Sequence, residues 1–116
     1  EQGITDVVRG ADLLDSTPRQ IYLQRLLGYA TPRYVHLPVA VNAQGEKLSK
    51  QTLAPAIDPQ RPVPRLAAAL RFLGHEPPHD LGDHDVRSFW QWARENWNAA
   101  RVPRVRTLPA PVTRDW

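Results

Sequence analysis

The chain opens on a β-branched run, Ile4-Thr5-Asp6-Val7-Val8, that carries Arg9 and ends at Gly10. A run of this kind closed by glycine predicts a short strand delivering Arg9 to a turn. A helix start follows, with Thr17 as N-cap, Pro18 at the first helical position and Gln20 completing a capping box. Ile21, Tyr22, Leu23, Leu26 and Leu27 give this helix a broad apolar face, and Gly28 stands where a glycine would stop it. Tyr34 to Val41 reads as extended and largely buried. Pro38 inside it has no N–H to give, which predicts an edge strand or an interrupted one. Asn42-Ala43-Gln44-Gly45 then supplies turn residues.

After Asp58 the pattern changes. Pro59, Pro62 and Pro64 predict a rigid linker, after which Val63, Leu66, Ala67, Leu70 and Leu73 recur at helical spacing up to Gly74. Glu76 to Asp85 reads as loop. Val86, Phe89, Trp90, Ala93, Trp97 and Ala100 form the stripe of a further helix, which places Trp90 and Trp97 in the core and leaves Trp92 off the stripe, packed against the tail. Pro103, Pro109 and Pro111 forbid a long helix beyond, and a solvated tail is expected there. The organisation is therefore the end of an α/β unit over 1–52, a linker over 53–62, a helical appendage over 63–101 and a Pro/Arg-rich tail over 102–116. One or two strands and one helix cannot cover both faces of a parallel sheet. Residues 1–52 are accordingly expected to be the last piece of a larger α/β fold.

Composition narrows the chemistry. The sequence has 116 residues, no cysteine and no methionine, so thiol nucleophiles, disulfides and cysteine-based zinc sites are excluded from it. No apolar run approaches the ~20 residues that span a bilayer. The first residues have neither a basic nor an apolar signal region. The formal charge of +3 arises entirely after residue 58, where nine basic side chains face six acidic ones. A basic tail is compatible with a nucleic-acid partner, although a solvated end explains it as well.

Of the fifteen basic residues only Lys47 and Lys50 are lysine, in Glu46-Lys47-Leu48-Ser49-Lys50-Gln51. In a chain that otherwise uses arginine, two lysines in one short stretch point to a need for compact ammonium groups that follow a moving phosphate. Gly45 permits a close approach and Ser49 adds a hydroxyl, so the loop suits charge neutralisation on a breaking polyphosphate. By spacing alone, an ordinary solvated turn is the better reading. His75, His79 and His84 lie near Asp80, Asp83 and Asp85, a metal-capable composition whose irregular spacing favours a solvated loop. His36 on its apolar segment reads as a hydrogen-bonded structural histidine. Ser16 has no base at a recognisable spacing, which leaves a hydrolase without support.

Gly3-Ile4-Thr5-Asp6-Val7-Val8-Arg9-Gly10-Ala11-Asp12-Leu13-Leu14, Ser16-Thr17-Pro18-Arg19-Gln20, Pro32 with Tyr34 and His36-Leu37-Pro38, and Lys47-Leu48-Ser49-Lys50 occur in that order. Together they resemble the class I glutamyl-tRNA synthetase family, the last of them its Lys-Met-Ser-Lys-Ser signature with Leu and Gln substituted. Within the family the likeness is greatest to the short glutamyl-Q tRNA(Asp) synthetase branch, which lacks an anticodon-binding domain. Ala11-Asp12 after Gly10, Thr52 after Gln51, and the short stretch beyond the signature carry that likeness.

The resemblance implies a Rossmann-type α/β catalytic domain followed by a stem-contact-like helical part, in a cytoplasmic ligase. It implies activation of L-glutamate with ATP and Mg2+, then transfer to the queuosine base in the anticodon loop of tRNA(Asp). Arg9 matches the arginine that holds glutamate, and its planar fork suits a carboxylate. Lys50 matches the lysine that contacts ATP, with Lys47 and Ser49 completing the catalytic loop. His36, Leu37 and Val39 match the stretch beside the adenine, and Asp12 is placed at the nucleotide or at the ammonium end of the amino acid. The family's His-Ile-Gly-His-type signature and zinc ligands are absent from these residues, so half an active site is expected, inactive by itself. Neither a membrane partner nor an oligomer is expected. Two alternatives stay open: the corresponding part of an ordinary glutamyl-tRNA synthetase, and a small basic RNA-binding module without catalysis.

Overall fold

A computed structural model describes residues 2–48 and 59–111; Ser49, Lys50 and Gln51 of the lysine loop lie outside the described residues. β1 (Asp6–Gly10) runs through a 3-10 turn over Ala11–Ser16 into α1 (Thr17–Leu26), and the chain returns as β2 (Arg33–Leu37), parallel to β1. Parallel neighbours require such a crossover, which is why a helix sits between them. The register sets Val7 opposite Tyr34 and Arg9 opposite His36. Side chains alternate along a strand, so these four share one face of the pair. Val8 and Val35 take the other face and lie exposed.

The start of α1 differs from expectation. Ser16 occupies the cap position in helical geometry, without a side-chain cap bond, and Thr17 is already the first helical residue. The preceding 3-10 turn supplies the reason: its Leu14 carbonyl accepts the Thr17 N–H, so no hydroxyl is needed there. At the other end Gly28 adopts φ 71°. The Gly28 and Tyr29 N–H groups close the helix on the Arg25 and Gln24 carbonyls, as a glycine stop requires. Tyr22, Leu23, Leu26 and Leu27 remain exposed on the outer side of α1.

Pro38 interrupts the extended segment as its missing N–H predicts. The chain changes partner across it, because β3 (Val39–Val41) pairs with a strand from the far end of the sequence. Between them come α2 (Pro62–Phe72) and α3 (Val86–Asn96), and the returning strand is β4 (Thr107–Pro109), parallel to β3. Pro62 and Pro64 thus fall in the first helical turn, where a missing N–H costs no hydrogen bond. Part of the expected tail is a paired strand.

Val63, Ala67 and Leu70 of α2, Leu81 of the 3-10 turn His79–Asp83, and Phe89 and Ala93 of α3 form the core of the helical part. The tryptophans reverse the expected roles. Trp92 packs against this core, whereas Trp90 is 49% and Trp97 45% exposed. Phe89 and Ala93, one turn apart, take the buried line, and α3 ends at Asn96, so Trp97 stands beyond its last turn. Asp85 caps α3 by accepting from the Arg87 and Ser88 N–H groups, and those bonds hold its carboxyl below the usual carboxylate range. His75 is not part of a solvated loop: it is buried, stacked on Trp97 and bonded to the backbone of Leu73 and Asn98. Among the described residues no helix is long and apolar enough to cross a membrane.

Candidate functional site

Two neighbouring clusters gather most of the expected residues. The first is built on the shared face of β1 and β2. The Arg9 guanidinium lies 4.9 Å from the centre of the Tyr34 ring, donates through Nη2 to the Thr17 hydroxyl at 2.8 Å, and donates through Nε to His36 Nε2 at 3.3 Å. The Thr17 hydroxyl has one proton, which lies between the Leu13 carbonyl at 3.1 Å and His36 Nε2 at 3.0 Å. Because a guanidinium only donates, Nε2 is the acceptor in its bond with Arg9, which leaves the ring proton on Nδ1. Tyr34 stacks near His36 and receives a hydrogen bond on its hydroxyl from Gln24 of α1.

Every group that grips Arg9 is neutral. Arg33, Lys47 and Arg106 each pair with an aspartate, yet among the described residues no carboxylate meets Arg9, and no acceptor meets its Nη1. A half-buried guanidinium fixed at two nitrogens and left without an anion is preorganised to receive one.

The second cluster is an open pocket of about 250 Å3 lined by Asp12, Val39, Gly45, Lys47, Arg106 and Thr107, among others. Lys47 Nζ donates to Asp12 Oδ2 at 2.6 Å across 35 residues of sequence. That ammonium holds the Asp12 carboxyl below the usual carboxylate range. The turn expected at Asn42 to Gly45 brings Lys47 here. The Asn42 side chain accepts from the Gln44 and Glu46 N–H groups, Gly45 takes φ 79°, and Lys47 bridges back to Val41. Gly10 makes room for Asp12, since a Cβ on it would collide with the Asp12 carboxylate and press on Val39.

Arg9 and His36 thus meet in the first cluster, and Asp12, Val39 and Lys47 meet in the second. The His36 side chain turns to Arg9 and away from the pocket. Leu37 pairs with Gly10 and lines neither cluster. The Val39 N–H is already given to the Arg106 carbonyl at 3.0 Å. Ser49 and Lys50 lie outside the described residues.

Sequence reading missed Thr17, spent on a cap it does not make, and missed Arg106 and Thr107 altogether. The only local sign of the latter pair was the short run Val105 to Leu108 before Pro109, too brief to read as a strand. Among the described residues no group of three or more His, Asp or Glu side chains converges to hold a metal.

Comparison with known proteins places these clusters in context. Residues 1–62 match the family of class I tRNA synthetases (E and Q), catalytic domain. A glutamyl-Q tRNA(Asp) synthetase of Aromatoleum aromaticum is 57% identical over 109 residues, which are 94% of this chain and 35% of that protein. The enzymes of the same name from Chromobacterium violaceum and Ectopseudomonas mendocina are 57% and 51% identical over 89% and 92% of the chain. The chain spans about a third of the length of these curated relatives. A crystal structure of glutamate-tRNA synthetase from Elizabethkingia anophelis superposes with a TM-score of 0.60 at 18% identity, covering 97% of this chain and 26% of its own, and shares the fold. With more than half of its residues matched by the family model, the chain belongs to the class I glutamyl- and glutaminyl-tRNA synthetases, residues 1–62 matching their catalytic domain.

Proposed function

We propose that this chain supplies the amino-acid clamp and the lysine loop of an enzyme that activates L-glutamate with ATP and transfers it to the queuosine base of tRNA(Asp). In the first step the α-carboxylate of glutamate attacks the α-phosphorus of ATP, and pyrophosphate leaves. Arg9 holds the glutamate through a bidentate pair, with Thr17, His36 and Tyr34 fixing the guanidinium. Lys47, Ser49 and Lys50 neutralise charge as pyrophosphate departs, and Asp12 positions Lys47 beside the nucleotide pocket. Val39 gives that pocket an apolar wall, with His36 and Leu37 leading the chain to it. The 1–52 segment with its loop is the catalytic part, 53–62 the linker, 63–101 the helical appendage and 102–116 the tail. The setting is cytoplasmic, and Mg2+ accompanies ATP.

The observation that carries this reading is the half-buried Arg9, gripped only by neutral groups and lacking a carboxylate partner among the described residues. Support for the acceptor comes from the printed names of the relatives. The test is a graft of residues 1–116 in place of the matching third of the Aromatoleum aromaticum relative. The graft should catalyse glutamate-dependent pyrophosphate exchange and load tRNA(Asp) bearing queuosine but not guanosine. Arg9→Lys should raise the glutamate KM by about one to two decades, because a charge-assisted fork is worth roughly 1.5–3 kcal/mol. Lys50→Ala should lower the activation rate by about two to three decades, the effect of losing one transition-state donor. Unchanged glutamate saturation in Arg9→Lys removes Arg9 from the site, and charging of the 3′ end of tRNA(Glu) selects an ordinary glutamyl-tRNA synthetase.

A further inference from the structure

The outer side of α3 carries cations and indoles in alternation. Arg87, Trp90 and Arg94 follow one another at steps of three or four residues, which puts them on one side of α3, and Trp97 continues the spacing as the residue that caps its end. Arg101 extends the series in the 3-10 turn Ala99–Arg101. All five side chains are exposed. Trp90 and Trp97 rim an apolar groove of about 260 Å3 between α2 and α3, with Arg94 on the same rim and Leu66, Leu73 and Phe89 beneath.

Both indoles are held in place. Phe89 meets Trp90 edge-on at 5.3 Å, and His75 backs one face of Trp97 in a parallel stack at 4.5 Å. His75 is itself locked by the Leu73 carbonyl and the Asn98 N–H. The nearby acids are engaged elsewhere, Asp85 in capping α3 and Glu95 in accepting from Gln91. Among the described residues Arg87, Arg94 and Arg101 enter no ion pair. An apolar helix of a protein partner would find its rim lined with guanidinium groups. Unstacked bases find π faces in the same places, and phosphates find the guanidinium groups between them.

We propose that the line Arg87, Trp90, Arg94 and Trp97 is a platform for single-stranded RNA, with bases stacked on the two indoles and phosphates held by the arginines. The helical rise over seven residues sets the two tryptophan backbones about 10 Å apart along the axis, which leaves Arg94 a phosphate between two bound bases. The proposal rests on the reading above only for the identity of that RNA, a tRNA loop whose bases are unstacked.

The test needs neither ATP nor glutamate, so it fails or succeeds apart from the catalytic reading. Anisotropy of a labelled oligonucleotide of mixed adenosine and cytidine, about twelve nucleotides long, reports binding to the 116-residue chain. Trp90→Leu and Trp97→Leu keep the groove apolar but remove the π face, and each should weaken binding about tenfold or more. Arg94→Gln should reduce the slope of log affinity against log salt by about 0.7, the share of one phosphate on a single strand. Circular dichroism of each variant checks that α3 is intact, and Arg94→Gln, on an exposed side chain, keeps the test decisive if a tryptophan variant unfolds. The proposal is overturned by absence of binding, by tryptophan variants that bind as the parent does, or by equal affinity for duplex RNA. Binding of an amphipathic helical peptide in place of RNA would assign the groove to a protein partner and overturn it too.

Discussion

Arg106 reaches across 91 residues of sequence to grip Asp15 with both arms, Nη1 on Oδ2 at 2.9 Å and Nη2 on Oδ1 at 2.8 Å. The pair ties the strand that returns from the helical part to the 3-10 turn behind β1. Arg106 also lines the pocket beside Lys47, so the tie sets one wall of the candidate nucleotide site.

The Arg106 guanidinium holds the Asp15 carboxyl below its ordinary value of 3.8, and Asp15 in turn raises Arg106. Folded Asp15 thus binds its proton less readily than unfolded Asp15. The pair's contribution to stability is complete above 3.8 and is lost as pH falls through the lowered folded value. Both partners are largely exposed, so the contribution is small and falls with salt. Urea denaturation of the parent and Asp15→Asn should therefore differ slightly at neutral pH and low salt, and converge below pH 3.8. A difference that persists in acid would mean that the carboxylate is not its source.

Gly28 and Gly74 have similar conformations, φ 71° and 80°, in different surroundings. A Cβ at Gly28 meets open space, whereas at Gly74 it strikes the Arg101 carbonyl and presses on Pro103. Gly28→Ala should cost about 1–2 kcal/mol, the penalty of left-handed geometry for a side chain. Gly74→Ala should cost more than that, because the backbone of the 101–103 segment must also move. Chemical denaturation of the two variants measures both, and equal costs would show that the close packing at Gly74 is absent in solution.

These elements also mark how far local sequence reaches. The stops at Gly28 and Gly74 and the break at Pro38 were legible, because each depends on the conformational limits of one residue. The association of Arg9 with the glutamate site came from the family resemblance, and its neutral surroundings became visible only with the β1–β2 register. Thr17 was misread because a hydroxyl before proline fits a cap equally well, and only the packed 3-10 turn decides. Trp92 and Trp90 exchanged roles because they flank the buried line of Phe89 and Ala93 on opposite sides and about equally far from it, so helical spacing does not decide which one is covered. The β3–β4 pairing and the Asp15–Arg106 pair join segments far apart in the chain, where no periodicity connects them.

Thr17 offers a direct test of how Arg9 is positioned. Thr17→Val keeps the shape but removes the acceptor for Arg9 Nη2, leaving the guanidinium held by His36 and the Tyr34 face. In the graft this should raise the glutamate KM about tenfold, the loss of one hydrogen bond to a charged group at the lower end of its range. The ATP KM should stay unchanged, and Thr17→Ser should recover most of the loss. A Thr17→Val enzyme with unchanged glutamate saturation would show that Arg9 holds its place without the hydroxyl.

His75 makes the junction between α2 and α3, and its two ring nitrogens do different work. Nδ1 donates to the Leu73 carbonyl at 3.0 Å, and Nε2 accepts the Asn98 N–H at 3.0 Å. His75→Phe preserves the stack on Trp97 and the apolar bulk but leaves both backbone groups unanswered. Each buried group left without a partner costs about 1–3 kcal/mol, so the variant should lose roughly 2 kcal/mol or more. The loss should concentrate where those bonds lie. Amide hydrogen exchange should quicken from Asn98 to Arg101 and at the end of α2, while β1 and β2 keep their protection. Uniform acceleration across both parts would mean that the chain unfolds as one cooperative unit, with His75 contributing only to its global stability.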